Sequence, residues 1–178
     1  FPGVTIDAVI AGIQDAFAGN ESQISNEDLN AAFQEIQKVV EEENAKQAKE
    51  FAAEGETFLK ENAKRDEVTV LDSGLQYEVI TEGSGEVPTA ESTVKTHYAG
   101  TLVNGQEFDS SYKRGEPAEF PVGGVIPGWT EALQKMPVGS KWKLYVPYNL
   151  AYGERGAGGA IGPYQALVFE IELLDIVA

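Results

Sequence analysis

Residues 93–111, TVKTHYAGTLVNGQEFDSS, decide the fold. Val94, Thr96 and Tyr98 alternate with Lys95 and His97, the period of two that sets one strand face on a core and the other toward water. Asn104-Gly105 interrupts the run, and an Asn-Gly pair between alternating segments is the strongest short hairpin signal because both residues accept the positive φ of a tight turn. Glu107 and Asp109 follow two apart on the return strand, hence on one face. Outward from this hairpin the same period recurs at Leu75, Tyr77 and Val79, at Trp142, Leu144 and Val146, and at Leu167, Phe169, Ile171 and Leu173. A short helix is predicted from Trp129 to Lys135, stopped by Pro137 and Gly139. Residues 67–178 are therefore read as an α+β domain, a twisted antiparallel sheet with one short packed helix.

Residues 1–66 obey a different rule. The first 67 positions hold 15 acidic and 6 basic residues and one proline, whereas seven of the eight prolines and 15 of the 19 glycines come later. Thr5 can cap a helix on which Ile6, Val9, Ile10, Ile13 and Phe17 share a face, with Gly19 as its left-handed stop. Ser25, with Asp28 three residues on, begins a second helix whose stripe is Leu29, Phe33, Ile36 and Val40. From Glu41 to Glu50 the helical pattern is polar on nearly every side, and Phe51, Phe58 and Leu59 then restore apolar positions. Such a helix crosses solvent between packed ends. Running to about Lys64 with Gly55 tolerated inside, it would be about 60 Å long. The first part is thus an all-α module with a long connecting helix.

Composition narrows the function. With 29 acidic against 13 basic residues, a formal net charge of −16, the chain lacks the clustered cations that phosphate backbones and anionic membranes require. Neither nucleic acid nor a membrane span is expected, since no apolar run approaches the roughly 20 residues of a spanning helix. The absence of cysteine removes disulfides, thiol nucleophiles and thiolate zinc sites. Phe1-Pro2-Gly3 carries neither an initiator Met nor a leader pattern, so the native start is expected to lie upstream.

Familiar catalytic arrangements fail on inspection. His97 is the only histidine, too few for a multi-histidine metal site, and its strand position reads as structural. GERGAGGAIG, residues 153–162, lacks the Gly-Lys-Ser/Thr ending of a phosphate loop and reads as a surface loop. Glu107 and Asp109 come from one element, unlike a glycosidase pair, and Glu41 to Glu43 form a solvated helix face without the alternating ligands of a calcium loop. What remains is a density of aromatics near turns: Tyr98, Phe108, Tyr112, Phe120, Trp129, Tyr148, Tyr152 and Phe169. Core packing and a binding pocket both account for them.

At these residues the sequence resembles a known family. HYAGTLVNGQEFDSS, VIPGWTEAL, MPVGS, LAYGERG and LVFEIELL, in order and nearly without gaps over residues 73–177, resemble the FKBP-type peptidyl-prolyl cis-trans isomerases, which bind tacrolimus and rapamycin. The helical first part is similar to the bacterial subgroup of the macrophage infectivity potentiator, in which N-terminal helices join two chains. The resemblance implies that Trp129 is the floor under a substrate proline ring and that Tyr98, Phe108, Val125, Ile126 and Phe169 are apolar walls, with Phe120 also at the binding site. It implies a polar rim of Asp109 and Tyr152, a donor in the Ile126 amide, a partner for Asp109 in Arg114, and a place for Ile161 in an overhanging loop. Ala118, Ala157 and Ala160 stand where relatives often carry larger side chains, which implies a pocket wider at one edge.

The expected activity is acceleration of X-Pro bond rotation without metal or cofactor. The implied partners are proline-containing unfolded or nascent proteins, the macrolides, and a second copy of the chain. Bacterial cytoplasm and periplasm both stay open as locations. A binding module that holds proline segments without catalysis, and a helical adaptor with an inert passenger domain, are the competing readings.

Overall fold

The computed structural model describes residues 5–19 and 25–177; the Phe1-Pro2-Gly3 start lies outside the described residues. The chain forms two compact units, Phe1–Asn44 and Ala45–Ala178. In the first, α1 (Ile6–Phe17) starts at Thr5, whose hydroxyl oxygen accepts from the Ala8 amide at 3.2 Å. Helix α2 (Asn26–Asn62) starts at Ser25, whose Oγ accepts the Asp28 amide at 3.0 Å and donates to Asp28 Oδ2 at 2.7 Å. Each contact satisfies an amide that has no partner inside its own helix. No residue of α1 is buried, and the stripes stand in solvent, from 38% exposure at Ile36 to 95% at Phe17. Amphipathicity has made these helices, yet among the described residues of the unit that face finds no core.

The second unit takes the last turns of α2 and all the strands: β1 (Val68–Val70), β2 (Gln76–Thr81), β3 (Thr93–Leu102), β4 (Glu107–Ser110), β5 (Ala118–Pro121), β6 (Lys141–Val146) and β7 (Leu167–Val177). They form one antiparallel sheet in the order β1-β2-β6-β7-β3-β4, with β5 also on β3. Strand β3 is its axis, bonded to β7 along its whole length on one side. Its other side is shared: residues 93–96 pair with β5 and residues 99–101 with β4. Between β4 and β5 the chain leaves the sheet for α3 (Ser111–Arg114), a single turn capped by Ser110 and closed by Gly115 at φ 79. Neither β5 nor α3 announces itself by periodicity, because each is only four residues long.

Alternation along β3 is strict, burying Val94, Thr96, Tyr98, Gly100 and Leu102. On that face lies α4 (Pro127–Leu133), which buries Gly128, Trp129, Ala132 and Leu133. The helix begins two residues before the expected Trp129 and ends two before Lys135. Pro127 explains the early start: its fixed φ suits the first helical turn and its missing N–H is not needed there. Leu75, Val94, Leu133, Met136, Leu144, Leu167, Ile171 and Leu173 are fully buried in one contiguous core. Each such side chain contributes about 1.5–3 kcal/mol relative to exposure, which holds α4 firmly enough to carry a site.

Candidate functional site

Where α4 meets the sheet, the core opens into a cavity of about 330 Å³ lined by Tyr98, Phe108, Asp109, Phe120, Gly124, Val125, Ile126, Trp129, Tyr152 and Phe169. Trp129, only 4% exposed, is its centre. Its indole meets three rings edge to face: Tyr98 at 5.2 Å, Phe169 at 5.3 Å and Phe120 at 5.7 Å. Phe108 closes the box against Phe169 at 5.7 Å, again nearly perpendicular. Such edge contacts fix ring planes as well as distances. Gly100 makes room for them, since a Cβ there would lie 2.7 Å from Phe108 and 2.8 Å from Phe169.

Phe108 and Asp109 are neighbours on β4, yet both line the cavity. The pairing explains how: Thr101 faces Glu107 and Gly100 faces Asp109, so Phe108 is the extra residue of a bulge. A bulge breaks the alternation locally and re-aims side chains. The expectation that Glu107 and Asp109 lie on one face is corrected accordingly. Glu107 pairs with Lys113 at 2.7 Å and does not line the cavity.

The polar rim is a closed triangle. Tyr98 donates its hydroxyl to Asp109 Oδ2 at 2.5 Å, Arg114 Nη2 donates to the Tyr98 oxygen at 2.8 Å, and Arg114 Nη1 pairs with Asp109 Oδ1. Burial pushes the Asp109 carboxyl up, but the donors Tyr98 and Arg114 and the Arg114 charge outweigh it and leave the group below the ordinary carboxylate range. Burial and the bond to Asp109 raise the Tyr98 phenol, against Arg114; burial, then the Asp109 charge, raise that of Tyr152. At neutral pH the rim therefore presents one carboxylate and two protonated phenols.

Two expected site residues stand off the cavity wall. Arg114 reaches it only through Asp109 and Tyr98, and Ile161, 7% exposed, belongs to the surrounding core and bridges to Ala157. Conversely, Gly124 lines the cavity without having been singled out, and it carries no side chain that could have signalled a role. Ser111 was also missed. Fully buried, it accepts the Tyr98 amide at 2.8 Å, donates to the Tyr98 carbonyl at 3.2 Å and meets His97 Nδ1 at 2.9 Å. It thereby ties the start of α3 to the strand bearing Tyr98, while His97 faces away and stacks on Tyr112 at 4.6 Å.

Sequence and fold match known proteins. Residues 84–174 match the FKBP-type peptidyl-prolyl cis-trans isomerase family, and residues 1–79 match the domain amino terminal to FKBP-type peptidyl-prolyl isomerase. The FKBP-type 22 kDa peptidyl-prolyl cis-trans isomerase of Escherichia coli is 49% identical over 175 residues, covering 98% of this chain and 85% of its own. Outer membrane protein MIP of Legionella longbeachae is 42% identical, covering 96% and 75%. The crystal structure of FkpA from Escherichia coli superimposes with a TM-score of 0.78 at 41% identity, covering 97% of this chain and 82% of that one. The chain belongs to the FKBP-type peptidyl-prolyl cis-trans isomerases, with the α+β fold of that family, and is an enzyme that accelerates rotation about X-Pro bonds. Its relatives named here are bacterial, and among the described residues no helix is long and apolar enough to cross a membrane.

Proposed function

We propose that the Trp129 cavity is where the rotation is accelerated. The observation that carries this reading is the convergence of six aromatic rings, that of Tyr152 with its hydroxyl, and one carboxylate on a cavity of about 330 Å³, room for a proline ring and the amide before it. Rotation is slow because amide resonance must be lost, a barrier of about 20 kcal/mol. No covalent step is needed. The twisted amide is less charge-separated than the planar one, so a dry aromatic box stabilises it relative to the well-solvated ground state. Trp129 receives the proline ring; Tyr98, Phe108, Phe120, Val125, Ile126 and Phe169 exclude water. The Ile126 amide and the Tyr152 hydroxyl hold the carbonyls on either side of the turning bond, and Asp109, oriented by Arg114, supplies a fixed negative charge near it. Ile161 keeps the overhanging loop in position. An acceleration of 10⁶ needs only about 8 kcal/mol, within reach of desolvation plus a few fixed dipoles.

The same cavity suits rapamycin and tacrolimus, whose binding blocks it. Residues 67–178 carry this chemistry, and residues 1–66 join two copies through the stripes from Ile6 to Phe17 and from Leu29 to Val40. Exposed apolar side chains at 38–95% support that pairing, because a second copy is the simplest cover for a self-complementary face. Two linked sites raise the effective concentration of an unfolded client and add a chaperone-like hold on it. The clients are proline-containing unfolded or nascent proteins in a bacterial cytoplasm or periplasm.

A coupled assay on a short proline peptide tests the site: exchange is accelerated, rapamycin abolishes the effect and cyclosporin does not. Acceleration that persists at saturating rapamycin would place the chemistry outside this cavity. For the second part, Ile13→Ser with Phe33→Ser is expected to halve the mass in light scattering. Peptide activity per site stays the same, while refolding of a proline-limited protein slows. A full chain that is already monomeric would remove the basis for pairing.

A further inference from the structure

The last turns of α2 do more than lead into the sheet. Within the unit that begins at Ala45, Gly55 is buried in the middle of the helix, a position where glycine is unfavourable. Its reason is a close approach: a Cβ on Gly55 would lie 3.0 Å from the Cβ of Ala166, itself 3% exposed. One turn earlier, the ring of Phe51 lies against Gly162, where a Cβ would come within 2.6 Å of Phe51 Cε2. Gly162 has no positive φ, and the third-nearest heavy atom to that Cβ, Gln165 Oε1 at 3.5 Å, is at ordinary contact distance. The two tightest approaches at this point are both made by the Phe51 ring. Below, Phe58 meets Tyr145 at 6.0 Å, and Asn62 donates to Gln76 at 2.9 Å, so the helix is anchored along this whole stretch.

What Phe51 and Gly55 touch is the return leg of the loop that begins at Tyr152. That loop is cross-linked. Gly153 donates to the Tyr148 carbonyl at 2.9 Å, Tyr164 donates to the Gly153 carbonyl at 3.0 Å, and Ala157 and Ile161 exchange two bonds at 2.9 and 3.0 Å. Tyr164 holds φ 57, a left-handed conformation that a bulky residue keeps only when its surroundings impose it, and its ring packs on Tyr148 at 5.1 Å. Gly162 is thus linked through Tyr164 and Gly153 to Tyr152, which lines the cavity.

We infer that Phe51 and Gly162 form a positioning contact by which the arm helix sets the width of the pocket mouth at Tyr152, and with it the enzyme's selectivity for the side chain next to the proline. This rests on the cavity being the site of catalysis. Phe51 acts only through the loop and touches no substrate.

The test uses the full chain with Phe51→Ala, Gly162→Ala and both together. Peptides with alanine and with leucine before proline are compared by kcat/KM. Each single change is expected to shift the leucine-to-alanine ratio three- to tenfold, with the alanine peptide altered less than twofold. The double variant should match Phe51→Ala alone, because the added methyl then meets no ring, and Phe51→Leu should retain the parent ratio. Amide exchange over residues 153–161 reports the loop directly and should quicken in both single variants. An unmoved ratio in both single variants, or shifts that add in the double, would overturn the inference, since a role in stability alone lowers the melting temperature without changing selectivity. Asp109→Leu separates the two levels: if it too is without effect, the cavity assignment fails; if it abolishes activity while the ratios stay fixed, only the arm's role does.

Discussion

Leu29 and Leu144 are the same residue with opposite fates. Leu144 on β6 is fully buried, while Leu29 on α2 is 44% exposed and shares its face with Phe33 and Ile36. The unit from Ala45 onward buries most of its apolar side chains within one chain; the helices before it satisfy their backbone and leave the apolar side chains of their stripes exposed. Helices can form this way because each closes its own hydrogen bonds locally, whereas a sheet exists only once distant strands have met. The two parts differ in what they need: one closes its core within a single chain, while the other, under the pairing proposed above, would respond to the concentration of a second copy.

Four measurements would break or sharpen that contrast. The largest effect is expected from Leu144→Ala, which should cost about 2–5 kcal/mol of unfolding free energy in urea, while Leu29→Ala leaves that transition where it is and instead weakens self-association. A shift of the sheet transition by Leu29→Ala would show that the units are not energetically separate. Next comes Asp109→Leu. Hydrogen bonds to a charged group are worth about 1.5–3 kcal/mol, so a ten- to hundredfold loss of kcat/KM is expected with the fold retained, and normal activity would remove Asp109 from the site. Tyr152→Phe deletes one neutral donor, worth about 0.5–1.5 kcal/mol, and should cost two- to tenfold in the same assay. An unchanged rate would leave that hydroxyl without a role.

The smallest effect is in the acid limb of stability. The native Asp109 carboxyl lies below its ordinary range because Tyr98 and Arg114 outweigh its burial. Its contribution is therefore fully present above the unfolded value of about 4 and is lost as pH falls through the lower native value. The urea midpoints of the parent and of Asp109→Asn should differ at pH 6 and converge toward pH 2. Because the side chain is 43% exposed, the difference is screened and stays small. A gap that widens in acid would mean that the folded protein prefers the carboxyl protonated.

Local sequence carried much of this protein. Alternation at Val94, Thr96 and Tyr98, the Asn104-Gly105 turn, the Ser25 cap and the stripes of α1 and α2 are all decided within a few residues, because strand and helix periods, turns and caps depend on near neighbours. The ordered motifs from His97 to Leu174 also contain eight of the ten residues that line the cavity. Tertiary structure alone decided the rest. Phe108 and Asp109 turn the same way only because β4 pairs with β3 through a bulge, a fact about two strands. Gly124 became part of a wall because a 3₁₀ turn at Val122–Gly124 delivers the chain to α4. Gly55, which local propensity could only tolerate, proved to be where the arm helix meets Ala166. In each case the deciding neighbour lies far along the chain, and no window of sequence contains it.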